Sequence, residues 1–530
     1  MVSSNGGSGA CWASSMGVNK GAKISSAHEL GMRRMPQQES RLGTAKKVGR
    51  MVLKEDGEGK PFLSVIVSDT ADNRGRYVTF GANRWWRRKN AGLILALGLA
   101  FLTVPAQITC AQAQPPAANS QSPATAQLLT PAQPYQLPPD KLAQATALGK
   151  IRPLIHFGAE LWEVVVLLLL LTTGAASRLS ERITWKIHRR WLRGCIFSTI
   201  LAALVFVIAD LPVEAIGHAF SLHYRISVET WIPWLLDESK TLGLTLLLET
   251  PLLMLALGLM RWSSRHYWFW FAVATVPILL LVTFLLPPLV EPLFYEFEPL
   301  AQAHPALAQQ LEQVVARTGT SIPPERMFLM KASAKSNGLN AYVSGLGASK
   351  RIVVWDTTAD RMPADEILFT FAHESGHYVL NHIVKGLILA AFGMFALFWA
   401  VARFAEWLVH RFGEGWRIST LASLPGLAIL LLALALIQIV TEPIENTISR
   451  HFEHEADVYG QEAIHGLVPD PQKTAVASFN ALGEAYLDDP NPNPFLEFWS
   501  YDHPSTQTRA IFAAHYDPWA PGHTPQFFAK

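Results

Sequence analysis

The sequence predicts a mainly α, polytopic membrane protein with about six transmembrane helices plus a signal-like segment. Three observations predict it. Charged residues make up only 16% of the chain and hydrophobic residues 50%, a balance foreign to an ordinary soluble enzyme. Trp268–Val290 runs without a single charge and is long enough to cross a bilayer. Five more apolar stretches follow residue 150: around Leu161–Ala176, Gly194–Ala209, Leu242–Met260, Leu387–Ala402 and Ile418–Thr441. A buried core helix would account for one such run, but not for six in this composition.

In chain order, residues 1–83 form a polar N-terminal extension with little periodicity. Its stretch MVLKEDGEGKPFLSVIVSD has room for a short strand and carries no evident chemistry. Residues 84–113 read as a signal peptide or signal anchor. Arg84, Arg87, Arg88 and Lys89 precede a short apolar run that ends in the A-x-A pattern Ala111-Gln112-Ala113. Signals normally open a chain, so translation starting near Val78 would leave everything before it outside the protein. Residues 114–152 are a linker rich in Pro, Ala and Gln, with too little apolar surface to fold alone. Transmembrane helices fill 153–290 and 384–441. Two polar regions, 291–383 and 442–530, carry the chemistry.

Loop charges orient the spans. Ser177–Arg193, Arg261–Arg265 and His410–Arg417 are basic and alternate with loops that are not. They are expected on the cytoplasmic side, which places 291–382 and the C-terminal region on the outer face. A cleaved signal ahead of residue 114 leads to the same side. The formal charge of +2 gives no reason to expect nucleic acid. Cys11, Cys110 and Cys195 are far apart and form no metal or disulfide pattern. Any metal must therefore be held by histidine and carboxylate.

The chemistry centres on FAHESGHYVLNH, Phe371–His382. The flanking ADEILFTFA is helix-forming, with Asp365 and Glu366 favouring its first turn. Positions i and i+4 share a helical face, so His373 and His377 would offer two imidazole nitrogens to one zinc ion. Glu374 stands where it could take a proton from water. The alternative is an accidental match on a polar helix. A third ligand is needed, and SRHFEHEADVYG supplies Glu453, His454, Glu455 and Asp457. Glu453 and Asp457 share a face, so one could bind metal while the other holds a ligand histidine from behind. By spacing alone, a solvated charged helix reads this segment equally well.

HESGHxxxxH, then two spans, then SRxxExxAD resembles the M48 family of membrane zinc metallopeptidases, and within it the Ste24 type, the CAAX prenyl proteases. SNGLNAYVSGLGASKRIVVWDTT, VEPLFYEFEPL and DHPSTQTRA are similar to further motifs of that group. LPVEAIGHAFSLHYRIS with Asp237 and Lys240 is a looser match. The likeness runs from about residue 150 to 515. It implies a zincin-like domain with a small β-sheet and one Zn2+ per chain, held by His373, His377 and Glu453. Glu374 would be the general base, and Asp457 a supporting carboxylate or proton donor. His503 would stabilise the oxyanion, with Arg509 holding or assisting it. Asn340, Ala341 and Tyr342 would form an edge strand beside the cleft, where an extended protein or peptide substrate adds through backbone hydrogen bonds. His382 would pack against the site, and His454 would face solvent or lie behind a ligand. A large chamber enclosed by the spans would give the intramembrane Glu249 a place.

The resemblance thus implies a membrane-embedded zinc endopeptidase, seated in the lipid bilayer and acting on protein or peptide substrates. The prenyl proteases of eukaryotes act on the cytosolic side. A secretory-type leader and an outward site instead point to a bacterial inner membrane with a periplasmic active face. Quality control or processing of envelope proteins fits that setting better than CAAX trimming. The alternative is a catalytically silent membrane scaffold of the same fold; the presence of Glu374 argues against it. A transporter built around Glu249 would want paired broken helices, which the sequence lacks.

Overall fold

The computed structural model describes residues 49–55, 61–67, 134–345 and 347–528. The signal-like segment 84–113, Cys11, Cys110 and most of the linker lie outside the described residues. The chain divides into two units. The unit of residues 21–128 contains a hairpin, β1 (Gly49–Glu55) paired antiparallel with β2 (Pro61–Val67), where the sequence has room for a single short strand.

The larger unit begins with α1 (Pro139–Thr172), α2 (Ala175–Lys186), α3 (Arg190–His223), α4 (Trp231–Trp262) and α5 (Tyr267–Phe284). Next come α6 (Pro287–Phe294), β3 (Phe297–Pro299), α7 (Leu300–Ala303), α8 (Pro305–Thr318) and β4 (Met327–Met330). β5 (Ala341–Ser344), β6 (Arg351–Trp355), α9 (Asp356–Arg361) and α10 (Ala364–Val379) lead into α11 (His382–Trp416) and α12 (Gly426–Ala463). α13 (Pro471–Tyr486), α14 (Pro494–Ser500) and α15 (Thr506–His515) close the fold. Helices α1, α3, α4, α5, α11 and α12 are each long and apolar enough to cross a membrane. None of the apolar window of α11 is buried inside the protein; such a face is stable against lipid and not against water.

Three boundaries differ from those expected. Residues 139–152, grouped with the linker, are the first turns of α1. Pro139 starts the helix with a preset φ. Ala145 and Leu148 bury against Leu487, and Arg152 pairs with Asp488 at 3.4 Å. Tertiary contacts thus order a segment whose composition would not fold alone. The uncharged run Trp268–Val290 is not one helix: α5 stops at Phe284 and α6 starts at Pro287, because prolines 287 and 288 cannot donate to a continuing ladder. The division at 441/442 disappears, since α12 carries the last span and the charged SRHFEHEAD segment as one helix of 38 residues.

The three basic loops meet at one end of the bundle. Ser177 Oγ donates to Trp416 O at 3.0 Å, and Arg261 Nε to Ala422 O at 3.1 Å. Trp185, Trp191 and Trp262 are exposed there, as expected of residues at a membrane interface. At the other end the α3–α4 loop joins the polar region: Val228 N donates to Lys335 O and Asn337 N to Ile226 O, both at 2.9 Å.

The sheet has the order β3-β4-β6-β5, with β4 and β6 parallel and the outer pairs antiparallel. Ile352 and Val354 of β6 join Phe369, Phe371 and Ala372 of α10 in one apolar core. β5 is an edge strand. Trp355 N donates to Asn340 O, so the register places Asn340 and Tyr342 in the bonded pairs with β6. The alternation then turns the backbone groups of Ala341 and Val343 outward.

Two glycines let α10 and α12 touch. A Cβ on Gly460 would meet His373 N at 2.9 Å, and one on Gly376 would meet the Tyr459 side chain at 3.0 Å. Gly460→Ala is expected to lower thermal stability in detergent by about 1–3 kcal/mol through overpacking. An unchanged unfolding midpoint would contradict this backbone contact.

Candidate metal centre

α10 presents His373 and His377 one turn apart, and α12 crosses it with Glu453. One ligand atom from each of the three lies within 4.8 Å of the other two. His373 Nε2 and His377 Nε2 are 3.2 Å apart. Glu453 lies 3.3 Å from the first through Oε2 and 3.4 Å from the second through Oε1. Glu453 Oε2 is buried and carries no hydrogen bond among the described residues. Two imidazole nitrogens and a carboxylate, crowded together with Glu453 Oε2 left unbonded, are the donor set a divalent cation takes. The residues present therefore fit a metal ion.

The hydrogen bonds behind the ligands fix which nitrogen is free. His373 Nδ1 is 2.9 Å from Asp457 Oδ1. Asp457 is 2% exposed and accepts from Arg509 twice, at 2.9 Å from Nε and 2.6 Å from Nη2. An acceptor-only carboxylate at Nδ1 assigns the proton there and leaves Nε2 with its lone pair. His377 reaches the same state by a longer route. Its Nδ1 is 3.2 Å from His382 Nδ1, and His382 Nε2 is 2.9 Å from Glu455 Oε2. Glu455 draws the His382 proton to Nε2, so His382 Nδ1 accepts from His377 Nδ1–H. His382 is also stacked on Phe452, with ring centroids 4.6 Å apart.

The electrostatics favour a cation. Burial alone would lower the His373 imidazole, but the Asp457 and Glu453 carboxylates beside it raise it to about 9. Burial likewise opposes charge on His503, and Glu453 and Asp502 raise it to about 9. The Arg509 guanidinium, which burial would lower, is pushed up by the Asp457 carboxylate. Elevated basicity at His373, His503 and Arg509 marks buried negative charge around Glu453 and Asp457.

The other residues expected at the site are placed as follows. Glu374 is half-buried beside His373 on α10. His503, just before α15, comes within 3.3 Å of Glu453 Oε1 through Nε2, while Asp502 holds its Nδ1 at 2.8 Å. Ser505 caps α15 by accepting from Thr508 N. Arg509 stacks its guanidinium on Phe479, 4.6 Å from the ring centroid. β5 lies along α10, and Tyr378 of the HExxH helix donates to Gly345 O at 2.9 Å. Tyr342 turns its hydroxyl to Glu291 Oε2 at 2.9 Å. His454 is exposed and packs its ring on Phe512.

Sequence reasoning left Glu455 among the possible metal ligands and did not single out Asp502 or Val343. The adjacency of Asp502 and His503 was a usable signal; the pairing of Glu455 with His382 depends on how α12 crosses α11.

Fold and site together define a membrane-embedded metalloprotease: six long apolar helices carry a mixed sheet and a His/His/Glu triad, of which His373 and Glu453 are buried and His377 half-buried. Two family models match the chain, "CAAX prenyl protease N-terminal, five membrane helices" over residues 130–296 and "Peptidase family M48" over residues 301–516. The chain belongs to peptidase family M48, among the Ste24-type proteases. It is 28% identical over 373 residues to the "uncharacterized metalloprotease YhfN" of Bacillus subtilis, covering 70% of this chain and 85% of that protein. It is 26% identical to the "CAAX prenyl protease 1" of Saccharomyces cerevisiae, covering 59% of this chain and 72% of the relative. In fold it is similar to the crystal structure of S. mikatae Ste24p, with a TM-score of 0.61 at 21% identity, over 71% of this chain and 89% of that one.

His382→Ala is expected to weaken metal binding by about 10–100-fold, read by competition with a chromogenic chelator. Unchanged affinity would remove the relay from Glu455 to His377.

Proposed function

We propose that this chain is a zinc-dependent endopeptidase of the bacterial inner membrane, acting on protein or peptide substrates at the periplasmic face in envelope quality control or processing. The observation that carries the reading is the convergence of His373 Nε2, His377 Nε2 and the Glu453 carboxylate beside Glu374. His373, His377 and Glu453 would hold the zinc. When bound, zinc supplies a Lewis acid that polarises a scissile carbonyl and makes water a stronger acid.

The chain's own residues perform the rest. Glu374 takes a proton from the attacking water and passes it to the leaving amine. His503, oriented by Asp502 at Nδ1, presents Nε2 to the developing oxyanion. Asp457 and Arg509 hold His373 in register from behind. An extended substrate lies along β5 and bonds to the backbone of Ala341 and Val343, with Asn340 and Tyr342 anchoring the strand to β6. Backbone recognition demands little of the substrate sequence, which suits the clearing of varied envelope proteins. The likeness to the CAAX prenyl proteases leaves prenylated peptides as the competing substrate class.

The domain reading that accompanies this proposal has a bundle of spans with a catalytic region inserted before its last two helices and completed by the C-terminal region. The basic loops, which share the end of the bundle away from the site, support this sidedness. Cysteine labelling in intact cells should find residues 178–193 protected; labelling from outside would reverse the orientation.

Glu374→Gln is expected to lower kcat about 10²–10⁴-fold on casein in detergent while zinc content stays unchanged. Bound zinc with no Glu374-dependent cleavage of any substrate would favour the silent scaffold. Val343→Pro removes an outward N–H without breaking the β6 ladder. It should raise KM roughly 3- to 10-fold, the worth of one hydrogen bond, at constant kcat.

A further inference from the structure

Within the bundle, the helices that frame the site carry a second convergence of ligand atoms. His156 and Glu160 stand one turn apart on α1, and Glu442 projects from α12. One ligand atom from each lies within 4.8 Å of the other two. Glu442 precedes Glu453 by three helical turns, about 16 Å, and is rotated from it by only about 20°. Both glutamates therefore leave α12 on the same side, one at the peptidase site and one deeper among the spans.

The local geometry repeats that of the first site. His156 Nε2 and Glu442 Oε1 are 2.8 Å apart. Yet His156 Nε2 makes no hydrogen bond among the described residues, and Glu442 Oε2 is also buried without one. The two groups are close but misdirected, as Glu453 Oε2 is beside His373 Nε2. An ordinary ion pair would point its N–H at the oxygen. Atoms that approach without pointing at each other leave their lone pairs for something between them.

Charge argues the same way. Two carboxylates partly withdrawn from water are costly unless compensated. One imidazolium offsets one of them and leaves Glu160 without a full partner. A divalent cation offsets both and uses the lone pairs of all three groups.

We propose that His156, Glu160 and Glu442 form a second divalent-cation site, taking Zn2+ or Mn2+ through one imidazole nitrogen and two carboxylate oxygens. Bound there, the ion clamps the first long helix to the last. Since α12 also carries Glu453, the clamp fixes how α12 sits against α1.

The test is metal content of the full chain purified in detergent and equilibrated with Zn2+, or separately with Mn2+, at low free concentration. Wild type should hold one equivalent more than His156→Gln, Glu160→Gln or Glu442→Gln, each checked for a monodisperse elution profile. The same difference should persist in a His373→Ala/His377→Ala background, which separates this site from the peptidase centre. Equal metal content in wild type and the three variants overturns the proposal and leaves only an ion pair. If those variants aggregate, Co2+ added to the His373→Ala/His377→Ala protein decides. A visible d–d spectrum, lost on adding excess Zn2+, supports the site; no spectrum overturns it.

Discussion

Two buried carboxylates, Glu453 and Asp457, stand one turn apart on α12, and the candidate metal centre is arranged around their charge. Asp457 is answered by a bidentate Arg509 and by His373. Removing one partner of such a buried pair costs about 3–5 kcal/mol, so α15, which brings Arg509, is bound to α12 by electrostatics as much as by packing. Glu453 is answered less directly, by Arg509 Nη2 at 3.5 Å from Oε2 and by the imidazoles of His373, His377 and His503 around it. The bonds behind His373 and His377 turn both Nε2 atoms to the Glu453 carboxylate, where a cation would sit.

The second constraint is the continuity of α12. One helix runs from the basic end of the bundle through the membrane to the centre, so the membrane bundle and the hydrolytic site share a rigid element. α10 meets it at Gly460, where there is no room for a side chain. α1 is tied to the same region through Arg152 and Asp488. The position of Glu453 relative to His373 is thus set by helix packing in the bundle as well as by the polar domain. This arrangement also brings the edge strand β5 alongside α10, held there by Tyr378.

Much of this was legible in the chain. The six apolar runs, the i,i+4 histidines with their intervening glutamate and the pairing of Glu453 with Asp457 all rest on local periodicity, which sequence expresses directly. The helix ends were less legible. Residues 139–152 look like linker by composition and are ordered by Leu487 and Asp488, which lie near the far end of the chain. The uncharged run after Trp268 looks like one span and is divided by prolines that hydropathy does not weigh.

By itself, then, the sequence determined the membrane class, the HExxH helix and the small set of side chains able to complete a metal site, because these depend on short-range spacing and on burial of apolar runs. Only the tertiary structure decided which carboxylate faces His373 and His377 together and which lies behind one histidine. It also decided that Glu455 serves His382, that Val343 and not Tyr342 turns its backbone outward, and that His156 and Glu442 meet among the spans. Those outcomes follow from the angle and height at which helices cross, which long-range packing sets and local spacing does not encode.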